Sequence, residues 1–251
     1  MKPRLYGFGL LAALALLWQV SATSWVDSTN WPPLTQVAKS LAEGLRSGEL
    51  AQVFGSSLAR MAAGFAVGSL AGVAVGLAMA RSRWVDAAFG PLVELLRPIP
   101  IPALVPPLML LLGLDDAMKV TIVAFSVFFP VLVNTATGVR SVEPVALDLA
   151  RTFQAGAPRT LWSVVLPSAL PYIMAGLRTS LALALIVTVV AEMIAGSAGL
   201  GFHLVTMQYA MRAGDMYAAI VLLAAVGYAL NRVMLALERR VLHWYQRAET
   251  E

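Results

Sequence analysis

Charge is missing from this chain for fifteen to twenty residues at a time, and that limits its fold more than any single motif does. Uncharged apolar runs occupy Leu5–Ala22, Met61–Ala80, Pro98–Leu114, Val120–Val139 and Met216–Asn231. Each reaches or approaches the ~20 helical residues that cross a bilayer core. A sixth run, Ala169–Ala195, is equally apolar but carries Arg178 and Glu192. Only 13% of the residues are charged, where a soluble domain has about 25%. The pattern predicts an all-α polytopic membrane protein with six transmembrane helices. There is no cysteine, which excludes a disulfide framework and a thiolate metal site. The net charge of +4 does not call for nucleic acid, since excess arginine in such a chain marks cytoplasmic loops.

Six spans place both termini on one side, and the basic residues choose it. Lys2, Arg4, Arg81, Arg83, Arg140, Arg151, Arg159, Arg239, Arg240 and Arg247 fall on one side, against Lys39, Arg46, Lys119 and Arg212 on the other. The richer side is expected to be cytoplasmic, and with it both termini. The first run also has the basic start and small-residue end of a signal peptide. At eighteen residues it exceeds an apolar region of about 7–15 residues, so a retained anchor is the preferred reading. Residues 1–52 are therefore read as an anchor followed by an external segment, in which LTQVAKSLAEGL forms an amphipathic helix and Trp25 and Trp31 suit an interface.

Within the spans, Gly64, Gly68, Gly72 and Gly76 form a stripe on one helix face. Small residues let helices approach closely in lipid, so the stripe is read as helix packing. The stretch ELLRPIPIPALVPPL holds prolines 98, 100, 102, 106 and 107, which should break the third span. Broken backbone at membrane depth is tolerated only inside protein or beside a water-filled cavity. Pro98 and Pro100 are thus candidate path residues, a kinked packing element being the open alternative, and so are Glu94 and Arg97, three apart and able either to pair or to snorkel at the cytoplasmic end. Arg178 and Glu192 complete the candidate path or gate set. An ionisable group in a span faces the bundle interior or a cavity, although hydrogen-bonded packing for Glu192 and snorkelling for Arg178 are open alternatives. His203 is expected in an external, turn-rich loop, as a surface or interfacial residue without a metal partner.

The polar interlude between spans four and five predicts two short cytoplasmic helices at about residues 144–166. Pro144 starts VALDLARTFQA, with Ala146, Leu149, Ala150 and Phe153 at helical spacing. Gly156 ends it, Pro158 starts RTLWSVVL and Pro167 stops that second helix. The pair makes a rigid knob with an apolar ridge suited to a groove in a partner protein.

These residues carry a resemblance. DLARTFQAGAPRTLWSVVLPSALP resembles the EAA loop of ABC-importer permeases, and the nitrate/sulfonate/taurine branch in particular. ELLRPIPIPALVPPL, AGLRTSLALALIVTVVAEMIAGSAGLG and NRVMLALERRVLHW are similar to the same branch, so the resemblance covers residues 30 to 245. The chain departs from the pattern in three places. Asp148-Leu149-Ala150 replaces Glu-Ala-Ala, Gln154 stands where the family has glycine, and leucines precede Gly113.

The resemblance implies a type I (MetI-like) importer permease fold, with its core at 53–237 and a cytoplasmic tail at 238–251. It implies a membrane subunit that is not itself an enzyme, placed in the bacterial inner membrane. Asp148, Leu149, Ala150, Arg151, Phe153 and Gly156 would couple it to two ABC ATPase subunits, which bind ATP and Mg. The other implied partners are a second copy of the chain and a periplasmic or lipid-anchored solute-binding protein, with a small anionic solute as cargo. The chain itself is expected to bind no cofactor. Its three lysines, Lys2, Lys39 and Lys119, follow Met, Ala and Met, so it has no Gly-Lys-[Ser/Thr] phosphate cradle. A self-contained channel or secondary transporter is the rival function. Such proteins pair broken helices in two halves, and only one proline-broken span is found. An intramembrane enzyme would need HExxH, GxSxG or paired aspartates, and none occurs.

Overall fold

The computed structural model describes residues 2–26 and 28–244, which form helices and turns without a strand. In chain order the helices are α1 (Lys2–Val20), α2 (Leu34–Arg46), α3 (Glu49–Arg81), α4 (Arg83–Leu96), α5 (Ile101–Leu112), α6 (Asp116–Arg140) and α7 (Pro144–Thr152). They continue as α8 (Ala157–Thr160), α9 (Leu166–Ala195), α10 (Leu200–Tyr209) and α11 (Ala213–Val241). Arg247 and the tail beyond Trp244 lie outside the described residues.

Among the described residues, four helices are long and apolar enough to cross a membrane: Glu49–Arg81, Asp116–Arg140, the continuous Ala157–Ala195 and Ala213–Val241. The pair α4 and α5, bent by 102°, makes a fifth crossing if taken as one span. In α1 and the turn after it, the apolar stretch Gly9–Trp25 is shorter. The six expected runs thus become four full helices, one bent pair and one short apolar helix.

The centre is α3, α6 and α9. Fifty-six per cent of the apolar window of α6 is buried, against 6% for α11, so α6 is the axis and α11 a peripheral helix. The glycines explain how α3 reaches α6. A Cβ on Gly64 would lie 2.6 Å from Val123, one on Gly68 would strike the Ala124 carbonyl, and those on Gly72 and Gly76 would stand 2.8 and 2.7 Å from the Phe128 and Leu132 carbonyls. Four glycines at four-residue steps meet four successive turns of α6, so the backbones touch along the whole contact. On the other side of α6, Gly138 abuts Tyr172 of α9, and Gly176 of α9 abuts Asn134 of α6. Around these seams Met61, Met118, Ile122, Val127, Val131, Ala184 and Val187 form the main apolar core.

Two proline expectations need correction. Of the five prolines, only Pro98 and Pro100 lie in the break after α4. Pro102 takes the first turn of α5, where its missing N–H is unneeded, and Pro106 and Pro107 sit inside α5. Pro167 does not stop a helix either. Residues 157–195 run on as one helix through a wide turn at Leu161–Val165, where the Leu166 N–H reaches back to the Leu161 carbonyl. That widening lies directly before Pro167 and gives its ring room against the preceding turn. The mid-chain interlude is therefore one free short helix, α7, joined by a Gly-Ala-Pro turn to the foot of a long span.

At the other end, α2 packs its buried Val37 against the bundle. Trp31 stacks on Trp18 at 5.3 Å and meets Tyr217 edge-on at 5.9 Å, which ties the segment before α2 to α1 and α11.

Candidate functional site

Candidate functional residues gather at the two ends of the bundle. At the first end, α7 follows α6 with Pro144 in its first turn and ends in a Schellman arrangement. The Gln154 N–H donates to the Arg151 carbonyl and the Ala155 N–H to the Ala150 carbonyl, both at 2.9 Å. Gln154 itself sits at φ +52°, in the left-handed region. Val145, Leu149 and Phe153, four residues apart, are exposed and form the apolar ridge, with Trp162 exposed nearby. Ala150 faces inward, 7% exposed, so of the expected face of Ala146, Leu149, Ala150 and Phe153 the ridge keeps Leu149 and Phe153 and adds Val145. Asp148 and Arg151 form an exposed ion pair at 2.9 Å, and exposed Gly156 precedes the first turn of α8. Arg140 and Asp86, at 2.6 Å, join α6 to the start of α4 at the same end.

The elbow between α4 and α5 exposes Glu94, Arg97, Pro98 and Pro100. Among the described residues the expected Glu94–Arg97 pair does not form, although Arg97 continues the helical conformation of α4. Arg178 approaches Glu238 of α11 at 3.8 Å. Together with Asn231 it is the polar part of an otherwise apolar groove of about 470 Å³ between α9 and α11.

The opposite end holds a polar knot that spacing did not reveal. Glu192 is fully buried. The Ser57 hydroxyl lies 2.9 and 2.7 Å from its two carboxylate oxygens. Arg60 Nη1 donates to Oε1 at 2.8 Å, and the Gly201 N–H donates to Oε2 at 3.1 Å. Ser57 Oγ accepts the Leu200 N–H at 2.8 Å, so its own proton goes to the carboxylate. Arg60 also donates from Nε to Asp116 at 2.6 Å and from Nη1 to the Ala198 carbonyl at 3.3 Å. One carboxylate and one guanidinium thus hold α3, α6, α9, the 196–199 turn and α10 at a single point. Glycine is required there. Gly199 has φ +106°, and a Cβ on it would strike the Glu192 carboxylate.

Two sequence expectations fail at this end. Lys119 is not a loop residue: α6 begins at Asp116, which puts Lys119 one turn inside the helix and leaves it 1% exposed. His203 is not at the surface. Residues 200–209 form a helix rather than a bending loop, and His203 is 7% exposed, with Nδ1 3.6 Å from Glu49 and Nε2 without a hydrogen bond. Among the described residues, no group of three or more His, Asp or Glu is placed to hold a metal.

Ser57 and Arg60 were missed because they lie 135 and 132 residues from Glu192 in sequence. A signal did exist. Arg60 and Glu192 fall at the ends of two runs that alternation brings to the same membrane face, and opposite charges at equal depth pair.

A broken span, a short exposed helix between two spans and a polar knot at the far end invite comparison with known transport proteins. Residues 64–243 match the family described as binding-protein-dependent transport system inner membrane component. The chain belongs to this family. It is 32% identical to the taurine transport system permease protein of Escherichia coli over 94% of this chain and 88% of that one. It is also 32% identical to the bicarbonate transport system permease protein of Synechococcus elongatus, over 74% of this chain and 68% of that one. The crystal structure of an amino acid ABC transporter superposes with a TM-score of 0.66 at 17% identity, covering 80% of this chain and 97% of that one, a likeness of fold. The chain is thus a multi-pass membrane protein and a permease subunit of an ABC importer.

Proposed function

We propose that this permease works as a homodimer in a bacterial inner membrane, driven by two ABC ATPase subunits that dock on α7 and hold the ATP and Mg. The solute arrives on a periplasmic or lipid-anchored binding protein at the knot end. It is a small anion or zwitterion of the sulfonate, taurine or nitrate kind. The relatives support this class, since the taurine and bicarbonate permeases are both named for small solutes with an anionic group. Arg178, in its apolar groove, supplies a fixed positive charge on the route. The exposed elbow at Glu94, Arg97, Pro98 and Pro100 forms part of the path wall.

One observation carries the coupling role. Val145, Leu149 and Phe153 are 75, 57 and 75% exposed on a helix that stands at the end of the span bundle. Three large apolar side chains in one row are the anchor pattern of a helix laid in a partner's groove. The residues around them set its geometry: Asp148 pairs with Arg151, Ala150 fixes the inner face, and Gly156 opens the turn to α8.

The test is co-purification of the tagged permease with the ATPase encoded beside it. Phe153→Asp is expected to release the ATPase while permease yield and monodispersity stay unchanged. Retention of the ATPase at wild-type stoichiometry rules out docking through this ridge. Proteoliposomes holding the permease alone should move no solute. ATP-independent uptake there would restore the channel or secondary-transporter reading.

A further inference from the structure

The knot around Glu192 is more than packing needs. An apolar contact of the same size would hold the end of the bundle as well, because replacing a buried ion pair by apolar groups is often neutral or stabilising. The knot also has an imbalance. Three of its charges are buried: the Glu192 carboxylate, the Arg60 guanidinium with 10% of its side chain exposed, and the Lys119 ammonium. Arg60 takes Glu192 and the largely exposed Asp116. Lys119 has no ion pair within 4.0 Å among the described residues and lies, 1% exposed, three residues along α6 from Asp116. A second buried cation thus stands one helical turn from the aspartate that shares Arg60 with Glu192.

The surroundings suit a contact that opens. Every element meeting at Glu192 arrives at the same end, away from α7, and the 196–201 segment that covers the carboxylate has glycine at 196, 199 and 201. The hydrogen bonds that close it are two backbone N–H groups, one serine hydroxyl and one arginine. Lifting the segment from α3 gives up the Leu200 N–H bond to Ser57 and the Arg60 bond to the Ala198 carbonyl, and parting α9 from α3 gives up the bonds of Ser57 and Arg60 to Glu192.

We propose that Glu192, Arg60 and Ser57 form a releasable clasp closing the knot end of the permease, and that Lys119 is the second counter-ion that receives the carboxylate when Arg60 lets go. The clasp gives two discrete states, with Glu192 on Arg60 when closed and on Lys119 when open. The buried carboxylate keeps a cationic partner in both. These are positioning residues: they set which way the bundle opens and touch no reacting atom. The inference rests on the importer reading.

The test uses the whole importer in proteoliposomes, with permease, ATPase and binding protein together, and measures ATP hydrolysis with and without loaded binding protein. Glu192→Gln removes the charge that holds Arg60 and is expected to raise unstimulated hydrolysis about fivefold or more, lowering the stimulation ratio. Lys119→Met removes the receiving cation and is expected to lower stimulated kcat by about fivefold or more, with Lys119→Arg restoring it. A merely structural knot moves both variants the same way, through loss of assembled complex. An unchanged ratio in Glu192→Gln, or wild-type stimulated kcat in Lys119→Met, overturns the clasp. If Glu192→Gln does not assemble, Ser57→Ala, which keeps the ion pair, must show a smaller rise in the same direction, and its absence overturns the clasp too. A wild-type complex whose hydrolysis ignores the binding protein sinks the importer reading and the clasp with it, whereas normal wild-type coupling with silent variants sinks the clasp alone.

Discussion

Gln154 shows how much a single backbone angle can hide. It occupies the position after the α7 cap where a left-handed residue lets two N–H groups close the helix end, and its φ is +52°. An L side chain there costs about 1–2 kcal/mol against glycine, offset by the ~0.5–1 kcal/mol of chain entropy that glycine loses. Gln154→Gly is therefore expected to stabilise the α7 terminus by about 0.5–1 kcal/mol. Slower amide exchange at Phe153 to Ala155 in detergent is the readout. Gln154→Val should speed it, since a β-branched residue fits that region worst. The sequence did mark the position, as the place where the family's glycine is replaced, yet φ itself leaves no trace in composition. Lys119 and His203 were misplaced for a related reason. Both stand near a helix end, and helix ends are the least sharply defined feature of an apolar run.

The helices were legible wherever hydropathy alone decides them. The glycine stripe on α3 pointed to a packing face, and the structure supplies the partner, α6, which no periodicity names. A paired substitution tests how closely that seam is fitted. On α3, Gly55 has nothing within 4 Å of an added Cβ, whereas a Cβ on Gly68 strikes the Ala124 carbonyl. Gly55→Ala is expected to be stabilising, by up to about 1 kcal/mol, because alanine is the better helix former. Gly68→Ala should destabilise by about 1–3 kcal/mol, because the two backbones must separate. Thermal unfolding of the purified permease in detergent should move in opposite directions for the two variants. Equal shifts would mean that α3 and α6 are not in backbone contact. The prolines show the limit of this kind of reading. Pro167 lies within a continuous helix because a wide turn precedes it, and Pro106 and Pro107 lie inside α5. A ring that usually ends a helix does not end one whose neighbours and wide turns absorb the missing bond.

Across the whole molecule, the two ends have opposite characters: an exposed apolar ridge at one, and a polar knot with aromatic and polar surroundings at the other. The long helix Ala157–Ala195 connects them. At 1.5 Å per residue it is about 58 Å long, nearly twice the ~30 Å of a bilayer core, so it is long enough to place its ends on opposite sides of a membrane. An expectation of sidedness was legible in the charge pattern. The pairing of Glu192 with Arg60 and Ser57 was not, since it joins residues more than 130 positions apart. Sidedness is directly measurable because the chain has no cysteine of its own. Val145 and Ser197 are both exposed, one on α7 and the other in the turn after α9. A membrane-impermeant maleimide is expected to label Val145→Cys only in inside-out vesicles and Ser197→Cys only from outside intact spheroplasts. Labelling of both from one face would mean that this helix does not cross the membrane. Labelling with the sides exchanged would put α7 outside the cell, where no nucleotide-driven subunit could reach it.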